Sequence, residues 1–139
     1  MKIARWMKHP VVTVKPAASV RHAREIMEQR RINQLPVVVN GRLLGIVTDR
    51  DLRDAFPSVF DAVEHGSYGR PVTDPATIPV EDVMTARVLT LASDASVAEG
   101  ARLLRRERVG AIPSVDAGRL VGVLTRSDVL DAFGAASPG

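Results

Sequence analysis

Apolar positions along the chain switch between two periods, and the same switch occurs twice. Val11–Val14 and Val88–Leu91 are short β-branched or aliphatic runs, which predict strands. Ser19 and Ser96 stand as helix N-caps, and Ser96-Val97-Ala98-Glu99 has the form of a full capping box. Behind them Val20, Ala23, Ile26 and Met27, and again Val97, Ala101, Leu103 and Leu104, fall on one broad helical face. Leu35–Val39 and Leu43–Val47 flank Asn40-Gly41, the signature of a two-residue hairpin; Ala117-Gly118 takes that place in the second copy. A second helix is predicted from Thr48 to about Phe60, and from Thr125 to about Phe133.

The two halves are copies. At an offset of 77 residues, positions 7–56 align with 84–133 without a gap, and 18 of the 50 pairs are identical. Leu35-Pro36-Val37-Val38 lies over Ile112-Pro113-Ser114-Val115, and Gly41-Arg42-Leu43-Leu44-Gly45 over Gly118-Arg119-Leu120-Val121-Gly122. Each copy reads β-α-β-β-α, and about 50 residues is too few for a comfortable core alone. The expected architecture is therefore α/β (α+β), with two repeats stacked around a pseudo-two-fold axis and sharing one core. The expected boundaries are repeat 1 over 1–60, a connector over 61–77 rich in proline and glycine, repeat 2 over 78–135, and a tail over 136–139. A short helix at Val80–Met84 is expected to enter the second repeat, and Arg5–Lys8 the first, with Trp6 packing that helix over the core.

Composition narrows the function. The 139 residues carry 45% hydrophobic and 25% charged side chains, ordinary values for a globular domain. Without an apolar run of about 18 residues, no membrane span is expected, and the first residues show no apolar stretch of a signal peptide. A soluble cytoplasmic protein is the expectation. With no cysteine, disulfides, thiol catalysis and cysteine-ligated metals are excluded. His9, His22 and His65 lack ligand spacing, so no metal is expected. The formal charge of +3 comes mostly from arginine, a good bidentate partner for phosphate and carboxylate. Aromatic residues at 4% are too few for a base-stacking surface. Arg102, Arg105, Arg106 and Arg108 stripe one helix; a solvated face, a dimer contact and a nucleic-acid patch all fit. Gly66-Ser67-Tyr68-Gly69-Arg70 lacks the Lys-Ser/Thr of a phosphate loop and reads as linker.

The chemistry concentrates where a strand gives way to a helix, at Thr48-Asp49-Arg50-Asp51 and Thr125-Arg126-Ser127-Asp128. One reading is a capping box, with the threonine at the N-cap and the aspartate three residues on. The other uses the same geometry. Free N–H groups and the positive end of the dipole attract an anion. A threonine hydroxyl adds a donor, and the carboxylate suits two hydroxyls of a ribose. Phosphate plus ribose is a nucleotide, and the two readings are compatible.

The ordered pattern Met-x-x-x-Val-x-Thr, then Pro-x-Val, then Gly-Arg-Leu-x-Gly-x-x-Thr-x-x-Asp, found twice in register, resembles the cystathionine-β-synthase (CBS) domain. Tandem copies of that domain form the Bateman module, and this chain is similar to a stand-alone CBS pair. The resemblance implies a regulatory, non-enzymatic tandem-repeat protein that binds an adenosine ligand (AMP, ADP, ATP or S-adenosylmethionine) in clefts between the repeats and signals to a partner by changing shape. The ligand would be regulatory rather than a catalytic cofactor. The implied nucleotide-binding positions in the first repeat are Thr13, Val14, Lys15, Gln34, Leu35, Pro36, Thr48, Arg50 and Asp51. In the second they are Thr90, Leu91, Ala111, Ile112, Pro113, Thr125, Arg126 and Asp128. Within these sets the strand and pre-proline residues would flank the adenine with backbone groups between aliphatic walls. Lys15, Arg50 and Arg126 would clamp phosphate. Plain core packing fits the aliphatic members equally well. Because Asn33-Gln34 is bulky where Gly110-Ala111 is small, unequal affinities are expected.

No nucleophile with its base stands out, so no catalytic residue is expected. The alternatives are an interaction scaffold in which Thr and Asp only cap helices, or a nucleic-acid-binding module using the arginine stripe. The resemblance also implies a flat homodimer paired through the helices, as is usual for similar modules, and Phe56, Phe60 and Phe133 are the candidates for that surface or for the core.

Overall fold

The computed structural model describes residues 1–55 and 74–136. Eight principal elements alternate in a mixed helix-and-strand fold: α1 (Val20–Arg30), β1 (Gln34–Val39), β2 (Arg42–Thr48), α2 (Asp49–Ala55), α3 (Val97–Glu107), β3 (Ala111–Asp116), β4 (Arg119–Thr125) and α4 (Arg126–Ala136). Local chemistry fixes most of their ends. The Ser19 hydroxyl accepts from the His22 N–H and that of Ser96 from the Glu99 N–H, each at 3.0 Å, satisfying one orphan donor per helix. Helices α1 and α3 stop at Arg31 and Arg108, both left-handed at φ 54°. Asn40-Gly41 and Ala117-Gly118 turn with φ of 51° and 83°, and of 51° and 81°, as a type I′ hairpin requires.

The predicted first strands are much shorter than expected. Only Val14 and Leu91 pair, each in a single parallel bridge, to Val37 and Ser114. Val14 donates to the Pro36 carbonyl at 3.0 Å and accepts from the Val38 N–H at 2.9 Å; Leu91 does the same with Pro113 and Val115. The next rung toward Val12 would need an N–H from Pro36, and toward Leu89 one from Pro113. Proline has none, so the ladder ends.

The chain forms two compact units, and their membership corrects the expected placement of the lead-in segments. One unit, called here the first-repeat unit, comprises Val12–Asn40 and Leu44–Val88. The second-repeat unit comprises Met1–Val11, Gly41–Leu43 and Leu89–Gly139. The segment around Val80 thus packs with the first repeat and the N-terminus with the second, the reverse of what the chain order suggested. The contacts repeat in register. In the first-repeat unit Val20 N–H donates to Ile78 O (2.8 Å) and Val80 N–H to Ala18 O (2.7 Å). In the second, Val97 N–H donates to Met1 O and Ile3 N–H to Ala95 O, both at 2.8 Å.

Each unit has its own core. Val14, Val20, Ala23, Met27, Leu35, Val37, Val47, Leu52 and Val80 form that of the first-repeat unit. Ile3, Leu91, Val97, Leu104, Ile112, Leu124 and Ala132 form that of the second. Burial of an aliphatic side chain stabilises by about 1.5–3 kcal/mol, so fully buried Val80 and Ile3 tie down their segments strongly. Trp6 packs partly buried against the second core, with the Arg5 guanidinium 5.5 Å from its ring centre. Helix α4 runs three residues beyond Phe133, which is 72% exposed and not part of the core. Phe56 and Phe60 lie outside the described residues.

Candidate functional site

The two strand-to-helix junctions have the same construction. The Thr48 hydroxyl accepts from the Asp51 N–H, and the Asp51 carboxylate accepts from the Thr48 N–H, both at 3.0 Å. Thr125 and Asp128 repeat the exchange at 3.2 and 2.8 Å. These are reciprocal capping boxes. In each, the carboxylate retains acceptor capacity beyond the capping bond. The following residue ties the junction back to the turn after the first helix: Asp49 N–H donates to Asn33 O (2.8 Å) and Arg126 N–H to Gly110 O (3.2 Å). Ala111 lies opposite Thr125 in the antiparallel β3–β4 ladder.

A lead-in segment lies over each junction. Thr85 forms an antiparallel bridge with Ile46, and Lys8 with Val123. Glycine makes the approach possible: a Cβ on Gly45 would stand 2.7 Å from the Thr85 carbonyl, and one on Gly122 would meet the Met7 sulfur. The bridges bring the side chain of Thr85 to Asp51 and that of Lys8 to Asp128. Thr85 Oγ1 is 3.4 and 3.5 Å from the two Asp51 oxygens. Lys8 Nζ is 2.6 Å from Asp128 Oδ1 and 3.3 Å from Thr125 Oγ1. Sequence reasoning missed Lys8 and Thr85. The signal was their shared offset of 77, but their partners depend on which unit each segment joins.

The remaining expected site residues separate into groups. Leu35 and Ile112 are buried core members, as are Val14 and Leu91. The N–H groups of Val14 and Leu91 donate to the carbonyls of Pro36 and Pro113, so these donors are not free to read a base edge, while each carbonyl keeps a second lone pair. Gln34 and Ala111 are half-buried, and Thr13, Lys15, Arg50 and Thr90 are exposed. Exposed Arg126 lines a groove of about 360 Å³ between α3 and α4, with Leu104, Arg105, Val129 and Leu130 among its walls. The structure therefore places this expected phosphate clamp along that groove. Arg102, Arg105, Arg106 and Arg108 form an exposed stripe on and just beyond α3. Among the described residues no cluster of three His, Asp or Glu could hold a metal ion, and no helix is long and apolar enough to cross a membrane.

The CBS domain profile matches residues 3–58 and 80–135, and the chain belongs to the CBS-domain family. A CBS domain-containing protein of Dictyostelium discoideum is 34% identical over 137 residues, covering 93% of this chain and 88% of that protein. The chain spans about a fifth of the inosine-5'-monophosphate dehydrogenases it also matches, among them that of Korarchaeum cryptofilum (33% identity over 86% of this chain and 21% of the enzyme). Among solved structures, CBSX2 in complex with AMP superposes with a TM-score of 0.77 at 29% identity, covering 97% of each chain. The CBS domain pair of protein MJ0100, in complex with 5'-methylthioadenosine and S-adenosyl-L-methionine, has a TM-score of 0.74 at 25% identity, covering 99% of this chain and 98% of that one.

Proposed function

We propose that this chain is a non-enzymatic regulatory module that binds an adenosine-containing ligand, of the AMP, ADP, ATP or S-adenosylmethionine class, at the helix junctions of its repeats. Occupancy is passed to a protein partner by a change of shape. The module works in the cytoplasm as a homodimer. One observation carries the reading: the Thr-x-x-Asp junction is built twice, at Thr48/Asp51 and Thr125/Asp128, with carboxylate acceptor capacity beyond each capping bond. A helix N-terminus with a threonine hydroxyl suits a phosphate, and the carboxylate suits a ribose diol. The adenosine ligands of CBSX2 and of the MJ0100 pair support the same class.

Of the expected contacts, Thr13, Lys15, Gln34, Arg50, Thr90 and Ala111 retain exposed or half-buried positions from which to meet a ligand, while the side chains of Val14, Leu35, Leu91 and Ile112 are buried in the cores. A second reading, a scaffold in which Thr and Asp only cap, is favoured by the closed capping boxes themselves. A thermal-shift panel of AMP, ADP, ATP, S-adenosylmethionine and guanosine nucleotides separates the two. Ligand at a hundredfold over its Kd stabilises by about 2.7 kcal/mol, so adenosine compounds raise Tm and guanosine compounds do not. A panel with no shift leaves the scaffold reading standing.

A further inference from the structure

The two junctions differ at one place. Lys8 and Thr85 are 77 residues apart, at corresponding positions of the repeat. Each is held by a backbone bridge to the residue two before the capping threonine. From that shared position Thr85 offers Asp51 a hydroxyl at 3.4 Å, near the limit of a hydrogen bond. Lys8 instead places an ammonium 2.6 Å from Asp128 Oδ1, while Asp128 Oδ2 accepts from the Thr125 N–H at 2.8 Å. Asp51 is half-buried, whereas Asp128 is only 3% exposed.

We infer that Lys8 is a specificity-determining residue that withholds the Asp128 carboxylate from a ribose diol, so that the Asp51 junction is the primary adenosine site and the Asp128 junction the weak one. The inference rests on the proposed adenosine function and deepens it. The ammonium brings Asp128 a full counter-charge as well as a short hydrogen bond, which a hydroxyl does not. Neutral ribose hydroxyls arriving at Asp128 must displace a cation from a buried carboxylate and leave that charge without its counter-ion, which is strongly unfavourable. At Asp51 the same hydroxyls displace one long contact from an uncharged donor. The Lys8 side chain is 61% exposed, and Thr85 is exposed. Exchanging the two residue types therefore leaves both cores intact.

The test is calorimetric titration of the full chain with AMP, for the wild type, Lys8→Thr and Thr85→Lys, with circular dichroism melting to confirm folding. The wild type binds one AMP tightly per chain. Lys8→Thr strengthens the weak site by about tenfold or more and brings a second AMP into range. Thr85→Lys weakens the tight site by a similar factor. If the wild type binds AMP but the Lys8→Thr weak site gains less than about threefold (about 0.65 kcal/mol), the inference fails and the adenosine function stands. A wild type already binding two AMP equally also overturns it. If none of the three proteins takes up AMP or any other adenosine compound of the panel, the proposed function fails and the inference with it.

Discussion

Thr85 is fastened to Ile46 by two backbone hydrogen bonds, Thr85 N–H to Ile46 O at 2.8 Å and Ile46 N–H to Thr85 O at 2.9 Å. The lead-in segment is thereby one rung of sheet beside β2, directly before the Thr48 cap. Gly45 permits it, since a Cβ there would meet the Thr85 carbonyl at 2.7 Å and the Met84 sulfur at 2.8 Å. The sulfur can swing away, but the carbonyl is held by the bridge.

Gly45→Ala is therefore expected to destabilise the protein by about 1–3 kcal/mol, as overpacking against fixed backbone does. It should also shift the amide resonances of Ile46 and Thr85. Gly110→Ala is the control, because a Cβ there meets nothing within 4 Å. Chemical denaturation of both variants checks the contrast, and equal losses would contradict the close-approach account.

The carboxylates of the two junctions are expected to bear on ligand affinity beyond their capping role. Asp51→Asn should weaken adenosine binding at its own site by roughly ten- to hundred-fold, because a hydrogen bond to a charged group contributes about 1.5–3 kcal/mol. Asn retains an acceptor for the Thr48 N–H, so the unliganded melt should fall only slightly. Asp128→Asn should lower stability a little more, since it also gives up the ion pair with Lys8, whose ammonium is left in solvent. Titration and melting measured side by side separate the roles. Normal binding by Asp51→Asn would leave that residue with capping alone.

Much of this architecture is legible in the chain because it is local. The serine caps, the turns at Asn40-Gly41 and Ala117-Gly118, and the Thr-x-x-Asp boxes each close within a few residues, and each stands where the residues place it. The exchange of lead-in segments is not legible, because Ile3 and Val80 find cores far along the chain and periodicity does not say which copy they join. The truncated first strands could have been read, since Pro36 and Pro113 remove the donor a longer ladder needs. Lys8 at Asp128 was hidden for the same reason as the exchange, as the two lie 120 residues apart.

Asp116 gives one pH dependence. The Ser93 hydroxyl and, second, the Ser93 N–H donate to its carboxylate, and together they hold its pKa below the ordinary 3.8 against a smaller opposing effect of burial. The corresponding residues of the first repeat are Val39 and Pro16, so the clasp belongs to the second alone. Because the folded state favours the ionised form, this stabilisation is fully present above about pH 3.8 and is lost as pH falls through the lower folded-state value. Ser93→Ala should therefore melt below the wild type at pH 7, with the gap closing under pH 4. A gap independent of pH would assign the loss to packing.

Assembly turns on α4. Phe133 and Leu130 are one turn apart on that helix and are 72% and 69% exposed, a costly display unless something covers it. Leu130 continues into the α3–α4 groove, where Arg105, Arg108 and Arg126 rim an apolar floor. A two-fold contact would lay the same face of a second copy against it, the commonest way to close such a surface. Light scattering at micromolar concentration should then give about 30 kDa, twice the 15.0 kDa chain. Phe133→Asp should give a folded 15 kDa monomer, because the side chain is outside the core and its loss opens no cavity. A wild-type particle of 15 kDa would sink the dimer, and an unfolded Phe133→Asp would mean that this ring supports its own subunit instead.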